Sequence, residues 1–371
     1  MKNLPAIRLK SGTGIGHGHP CFVVAEIGNN HQGELALAMK MVEEAAKCGV
    51  QAVKFQKRHM SALFTSTGLQ MPYPGPNSFG PTYGEHRRAL ELSIEDMAEL
   101  KAQAESLGLV FFASAWDAVS LMELNELGVE ILKICSADLV NVPMLRLAGR
   151  SGIPVIMSTG MSGLEEIDLA VSEIRKFHDN VVILHCNSTY PCPDEQVCLP
   201  VMAELSRRYR LPVGYSGHEQ GVGPSVAASA LGACVVERHF TLDRTLPGTD
   251  HQASLEPADM TQMVRLIRET EAALRLGRKE VFESERMAAV KLRKSVVFAR
   301  DLPAGHVLTE ADITVKCPGN GVSPIHWDDL MGRTLITPVR HEEQVRWEHL
   351  ALSARRRLDL LKDAHLALSR L

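Results

Sequence analysis

The feature that most constrains this chain is an eightfold alternation of short β-rich runs with longer helical ones. Strands are expected at 22–25, 52–55, 110–113, 131–134, 155–157, 181–184, 211–215 and 234–237. Helical runs follow at 34–48, 93–107, 118–127, 142–150, 163–177, 199–209, 221–231 and 257–276. Ser93 with Asp96 reads as a capping box, and Ser162 with Glu165 is expected to open the run after it. Eight such repeats over roughly 250 residues have the count and size of an α/β (β/α)8 TIM barrel. A doubly wound open sheet is the competitor, and the two differ in where polar residues fall. A barrel draws its chemistry from the C-terminal end of every strand, an open sheet from one switch point. Here every strand end carries a polar group: Glu26, Lys54 with Gln56, Ser114, Lys133 with Ser136, Ser158 with Thr159, Ser188 with Tyr190, Ser216 with His218, and Glu237 with His239. That distribution favours the barrel.

Any one of those residues also reads as a solvated turn position. The lysines are harder to dismiss. Lys54 lies between Val53 and Phe55, and Lys133 between Leu132 and Ile134. A buried, unpaired ammonium is costly, so each needs an anionic neighbour or ligand. Ringed by Ser114, Ser136, Ser158 and Ser216, the two describe a pocket for a phosphate or a phosphorylated carboxylate. His218 and His239 follow the last two strands, with the helical run 221–231 between them. A strand–helix–strand unit makes its strands parallel neighbours about 4.8 Å apart, so the imidazoles converge. Two neutral imidazoles with open positions beside them make a plausible divalent-metal site. Two hydrogen-bonded histidines at a barrel rim are the plainer alternative.

Composition excludes other classes. The 371 residues are 45% hydrophobic and 23% charged, with formal net charge −4. A chain without a basic excess is not expected to bind nucleic acid or an anionic membrane. Residues 1–16 show no apolar leader segment, and the apolar window 221–236 contains Pro224 and is shorter than a span of about 20 residues. Eight cysteines without a CxxC pair suit reduced thiols in a cytoplasmic protein, and the even spacing of Cys186, Cys192 and Cys198 reads as incidental. Residues 59–92, rich in Pro and Gly, read as a long irregular loop of the functional kind. The expected division is a catalytic barrel at 1–277, a charged linker or exposed helix at 278–294, a short-strand domain at 295–350, and a basic, Leu-rich helix at 351–371.

As an ordered set, several motifs resemble the sialic acid synthases and their legionaminate and pseudaminate relatives. They are Ala25-Glu26-Ile27-Gly28-Asn29-Asn30-His31, Lys54-Phe55-Gln56, Lys133-Ile134, Ser158-Thr159-Gly160-Met161, Tyr190-Pro191, Tyr215-Ser216-Gly217-His218-Glu219 and Glu237-Arg238-His239. Residues 295–350 look like the antifreeze-like (SAF) domain that closes these enzymes. The resemblance implies a homodimer in which that domain caps the partner's active site. It implies condensation of phosphoenolpyruvate with an open-chain N-acetylhexosamine and water, with cleavage of the enol-phosphate C–O bond. On this reading His218 and His239 hold manganese or magnesium. Lys54, Lys133, Ser114, Ser136, Ser158 and Ser216 grip phosphate and carboxylate. Glu26 orients or deprotonates the water, and Gln56, Tyr190, Glu237 and Asp250 meet the sugar.

Two positions depart from many bacterial members. Ser188 stands where they have Asn, with Asn187 adjacent as a substitute, and Cys317 stands where they have an Arg for the N-acetyl end. Residues 80–88 and 250–257 look closer to the animal synthases, which take a 6-phosphorylated sugar, and Arg87 and Arg88 are candidates to meet that phosphate. A synthase of a related nonulosonate is the main rival. A Schiff-base aldolase using Lys54 or Lys133, and a non-catalytic coat-assembly protein, are the others.

Overall fold

The computed structural model describes residues 6–351. Eight parallel strands close into a barrel in which the last pairs with the first. They are β1 (Phe22–Gly28), β2 (Ala52–Lys57), β3 (Val110–Ala115), β4 (Leu132–Ile134), β5 (Val155–Ser158), β6 (Val181–Cys186), β7 (Val213–Gly217) and β8 (Val235–His239). Most run further at the C-terminal end than hydrophobicity suggests, because polar rim residues still belong to the ladder. Gln56 pairs with Ser114, Ser216 with Glu237, and His239 with Glu26. The helices that follow are α1 (Leu35–Lys47), α2 (Ile94–Ser106), α3 (Ala118–Glu126), α4 (Val142–Arg150), α5 (Leu164–Arg175), α6 (Val201–Tyr209), α7 (Gly223–Ala230) and α8 (Pro257–Leu274). The Ser93–Asp96 capping box is present at α2. At α5 the cap lies one residue later than expected: Gly163 N donates to Glu166 Oε2 at 2.7 Å, so neither Ser162 nor Glu165 makes the cap.

The period-two alternation of the strands separates two cores. Val23, Ala25, Val53, Phe55, Phe111 and Ala113 face the helices. Phe22, Val24, Ala52, Phe112, Ile156, Val182 and Val235 fill the barrel interior. Ile7, Leu9 and Ile15 join that inner cluster from an antiparallel hairpin, Ala6–Arg8 with Gly14–Gly16, which plugs the N-terminal end. The apolar floor leaves only the C-terminal mouth for polar side chains. Between β2 and α2 the expected irregular loop instead holds three short helices, Met60–Leu63, Ser66–Gln70 and Tyr83–Ala89. A Thr82–Glu85 capping box opens the third, and the Tyr73 ring packs against Tyr83 and His86 on that helix.

The chain divides into two compact units between Leu276 and Gly277. In the second, Ser295–Phe298 pairs antiparallel with Ile313–Lys316 over a core that includes Phe298, Leu302, Leu330 and Val345. Buried Asp312 accepts from Arg300, Thr309 and His306. A helix, Glu283–Leu292, occupies the expected linker and is tied to the same unit by Gly319 N donating to Val290 O. The helix expected at 351–371 lies outside the described residues but for Ala351. Among the described residues no helix is long and apolar enough to cross a membrane.

Candidate active site

A cavity of about 240 Å³ opens at the C-terminal mouth, lined by Glu26, Lys54, Gln56, Ser114, Lys133, Ser136, Ser158, Ser188, Tyr190, Ser216, His218, Glu237 and His239. Its floor is a buried charge network. Lys54 Nζ lies 3.0 Å from Glu26 Oε2 and 3.2 Å from Glu237 Oε1, and donates to Ser114 Oγ. Burial disfavours its charge, but the two carboxylates outweigh that and push its pKa up to about 12. Lys133 Nζ donates to Ser158 Oγ at 2.6 Å and lies 3.9 Å from Glu237 Oε1. With less carboxylate to offset burial, its pKa is lowered. Burial opposes the charge of Glu237 as well, yet Lys133 and Lys54 hold its carboxyl below the usual range. Glu237 Oε2 has no hydrogen-bond partner among the described residues.

Two glycines make room for this arrangement. Gly28, at φ +57 beyond a bulge in β1, passes so close that a Cβ would sit 3.2 Å from both Gln56 Nε2 and Glu26 Oε1. At Gly160 a Cβ would lie 2.1 Å from Ser188 Oγ and 2.9 Å from Ser136 Oγ, and its N–H donates to Ser136. The backbone after β5 thus meets two hydroxyls in a small cradle with donors for an anion.

The two histidines share one wall, with ring centroids 5.5 Å apart, and the Tyr190 ring lies 4.0 Å from that of His218. His218 Nδ1 donates to the Asn187 carbonyl at 2.6 Å, which leaves the lone pair on Nε2. Burial, then His239, lowers its pKa to about 3, so the ring is neutral. His239 Nδ1 is buried without a hydrogen-bond partner among the described residues, 4.0 Å from Asp250 Oδ2. Two imidazoles on one wall, that of His218 neutral and oriented by a carbonyl, fit a divalent cation with open positions for oxygen ligands. Among the described residues no group of three or more His, Cys, Asp and Glu forms a closed metal cage.

Two expected residues do not line this cavity. The Asn187 side chain is engaged by Gln196 O and Thr189 N, and only its carbonyl reaches the site. Asp250 lies 4.0 Å from His239 but lines a separate small cavity with Asn29, Asn30 and His86. Arg87 packs over the Tyr83 ring; burial pushes the Asp250 carboxyl up, but His239, Thr249, Arg58 and Arg87 together hold it below the usual range, and Arg88 is exposed. Cys186, read from spacing as incidental, lines the cavity 3.7 Å from Ser136 Oγ. Trp116 lines it too and Arg58 supports it; sequence reading passed over both. Their signal was adjacency to the strand-end residues Gln56 and Ser114.

Comparison with known proteins identifies the family of the chain. Residues 41–279 match the NeuB family and residues 293–351 the SAF domain. Human N-acetylneuraminate-9-phosphate synthase is 39% identical over 91% of this chain and 95% of its own length. N,N'-diacetyllegionaminic acid synthase of Legionella pneumophila is 37% identical over 89% of this chain and 94% of its own. The crystal structure of N-acetylneuraminic acid synthetase from Leptospira borgpetersenii, in complex with citrate, superposes with a TM-score of 0.66 at 34% identity, covering 76% of this chain and 95% of that one. The barrel and the second unit are therefore those of a nonulosonate-forming enzyme: the chain belongs to the NeuB family of sialic acid synthases and carries a C-terminal SAF domain.

Proposed function

We propose that the protein condenses phosphoenolpyruvate with an N-acetylhexosamine, N-acetylmannosamine or its 6-phosphate, and water, giving a sialic acid or its 9-phosphate plus phosphate. The observation that carries this is the placement of two buried lysines and two buried histidines around one cavity with Glu26 and Glu237. Lys54, Lys133 and the hydroxyls of Ser114, Ser136, Ser158 and Ser216 suit the phosphate and carboxylate of the enol phosphate. His218 and His239 are the residues to hold manganese or magnesium, which supplies Lewis-acid polarisation of the sugar aldehyde when bound. A bond forms between C3 of phosphoenolpyruvate and the aldehyde carbon as the aldehyde C=O π bond opens to an alkoxide, which becomes a hydroxyl by taking a proton that the added water releases. Water then adds at C2, with Glu26 orienting it and holding its proton, and the C2–O bond to phosphate breaks. Tyr190 and Glu237 face the sugar.

Turnover in water enriched in ¹⁸O tests this reading. The label belongs in the nine-carbon acid and not in the phosphate; label in phosphate means P–O cleavage and a different reaction.

The same reading includes a homodimer, and deletion of 295–371 is expected to abolish turnover while leaving a folded barrel. A phosphorylated sugar is favoured by Arg87, half-buried and within electrostatic reach of Asp250 yet paired with no carboxylate among the described residues. The human relative's name points the same way. If Arg87→Ala leaves the preference between N-acetylmannosamine and its 6-phosphate unchanged, that choice is wrong.

A further inference from the structure

Arg58 follows β2 directly and is 3% exposed, a buried guanidinium beside the cavity rather than in it. Four segments meet on it. Its Nη1 donates to Glu91 Oε1 at 2.9 Å and to Asn29 Oδ1 at 3.0 Å, and its Nη2 donates to Gln56 Oε1. Its plane packs 4.4 Å from the centre of the Trp116 ring. The contact with Gln56 matters because a carboxamide has two ends. With Arg58, and more distantly Asn29 Nδ2 at 3.4 Å, donating to Oε1, the amide must turn its NH2 the other way. That NH2 donates to Glu26 Oε1 at 2.9 Å, while Glu26 Oε2 takes the ion pair from Lys54. Both oxygens of the carboxylate are thereby fixed in one orientation.

We infer that Arg58 is a positioning residue for the reaction proposed above, acting on Glu26 through the Gln56 amide. The guanidinium locks the amide, and the amide aims the carboxylate that orients water. A lysine at position 58 keeps the charge but cannot bridge Glu91, Asn29 and Gln56 with one planar fork. The amide is then free to flip and present its oxygen to the Glu26 carboxylate.

The test is a double-mutant cycle with Arg58→Lys and Gln56→Ala in the full chain, assayed with manganese, phosphoenolpyruvate and the accepted hexosamine. Wild-type turnover in that assay tests the reaction itself. The coupling between the substitutions tests Arg58, because residues acting through one another are non-additive. Arg58→Lys is expected to lower kcat about 30-fold with KM for phosphoenolpyruvate within about threefold, the pattern of an interaction used at the transition state. In the Gln56→Ala background the same change is expected to lower kcat less than about threefold. An equal loss in both backgrounds, a loss confined to KM, or wild-type kcat in Arg58→Lys overturns the proposal and leaves Arg58 as a brace for Glu91. Should Arg58→Lys fail to fold, Arg58→Met, which keeps contact with the Trp116 face, completes the same cycle.

Discussion

Arg238 Nη1 lies 2.8 Å from Glu219 Oε1, and neither side chain is exposed at all. The pair stands immediately beside both histidines in sequence: Arg238 precedes His239, and Glu219 follows His218. Tyr215 and Ser225 also donate to Glu219, and Arg238 further donates to Gly221 O. This buried network ties the ends of β7 and β8 together behind the wall that carries the imidazoles. Glu219→Gln strands a buried guanidinium and is expected to destabilise the barrel by about 3–5 kcal/mol, whereas Arg238→Met with Glu219→Leu costs much less. Urea unfolding of the three proteins gives the answer; equal losses in the single and double variants contradict it.

Glu26→Gln removes the carboxylate assigned to the attacking water but preserves its shape and its contact with Gln56. The expected result is a fall in kcat of at least about 100-fold, in the range ascribed to a positioned base, with phosphoenolpyruvate binding retained. Calorimetric titration alongside single-turnover kinetics separates the two. Loss of binding with unchanged chemistry would move Glu26 from the water to the anion pocket.

The cradle at Gly160 gives a test of anion binding. In Gly160→Ala the added methyl displaces the Ser188 and Ser136 hydroxyls, which rotate away without disturbing the barrel core. KM for phosphoenolpyruvate is expected to rise about tenfold, the loss of roughly one good hydrogen bond to a charged group. The melting temperature should be nearly unchanged. An unaltered KM would place the anion elsewhere.

The Schiff-base alternative requires a neutral lysine. Lys54, pushed up to about 12 by Glu237 and Glu26 against burial, is an ammonium at neutral pH; Lys133, whose pKa is lowered chiefly by burial, is the one to watch. Borohydride added during turnover is expected to leave the mass of the protein unchanged, and a chelator to abolish activity. A reduced adduct on Lys133 would contradict the assignment.

His31 gives a pH dependence with a definite sign. Burial lowers its pKa to about 4, against about 6.5 in an unfolded chain. Between those values the unfolded state binds the extra proton, so stability rises with pH through this window and is lost as pH falls. The slope from this group is at most about 1.4 kcal/mol per pH unit. His31 Nδ1 accepts from Gly33 N, so His31→Asn keeps an acceptor and should flatten the slope by that amount. Denaturant titrations of metal-free protein at pH 4.5 to 7 would show it.

The barrel was legible because its evidence is periodic: apolar runs at regular spacing, each ending on a polar residue. Lys54 and Lys133 announced a buried anionic environment by being charged inside apolar runs. Both carboxylates that meet Lys54, Glu26 and Glu237, were already among the strand-end residues. What the order of residues could not show is which partners meet through space. Arg58 reads as one more cation in a basic stretch until its fork is seen on Glu91, Asn29 and Gln56. Cys186 looked incidental because its spacing from Cys192 and Cys198 drew the eye, while its place on the inner face of β6 decides its surroundings. The N-terminal hairpin escaped notice since strands of three residues carry no readable period. Asn187 was expected to offer its side chain and offers its carbonyl to His218 instead, a choice made by loop geometry.

The most direct measurement is phosphate release from phosphoenolpyruvate by the metal-stripped protein, with N-acetylmannosamine or its 6-phosphate, each with and without added manganese. Release is expected to need both the sugar and the metal, and to run faster with the 6-phosphate. Release without any hexosamine, or at full rate without metal, would contradict it.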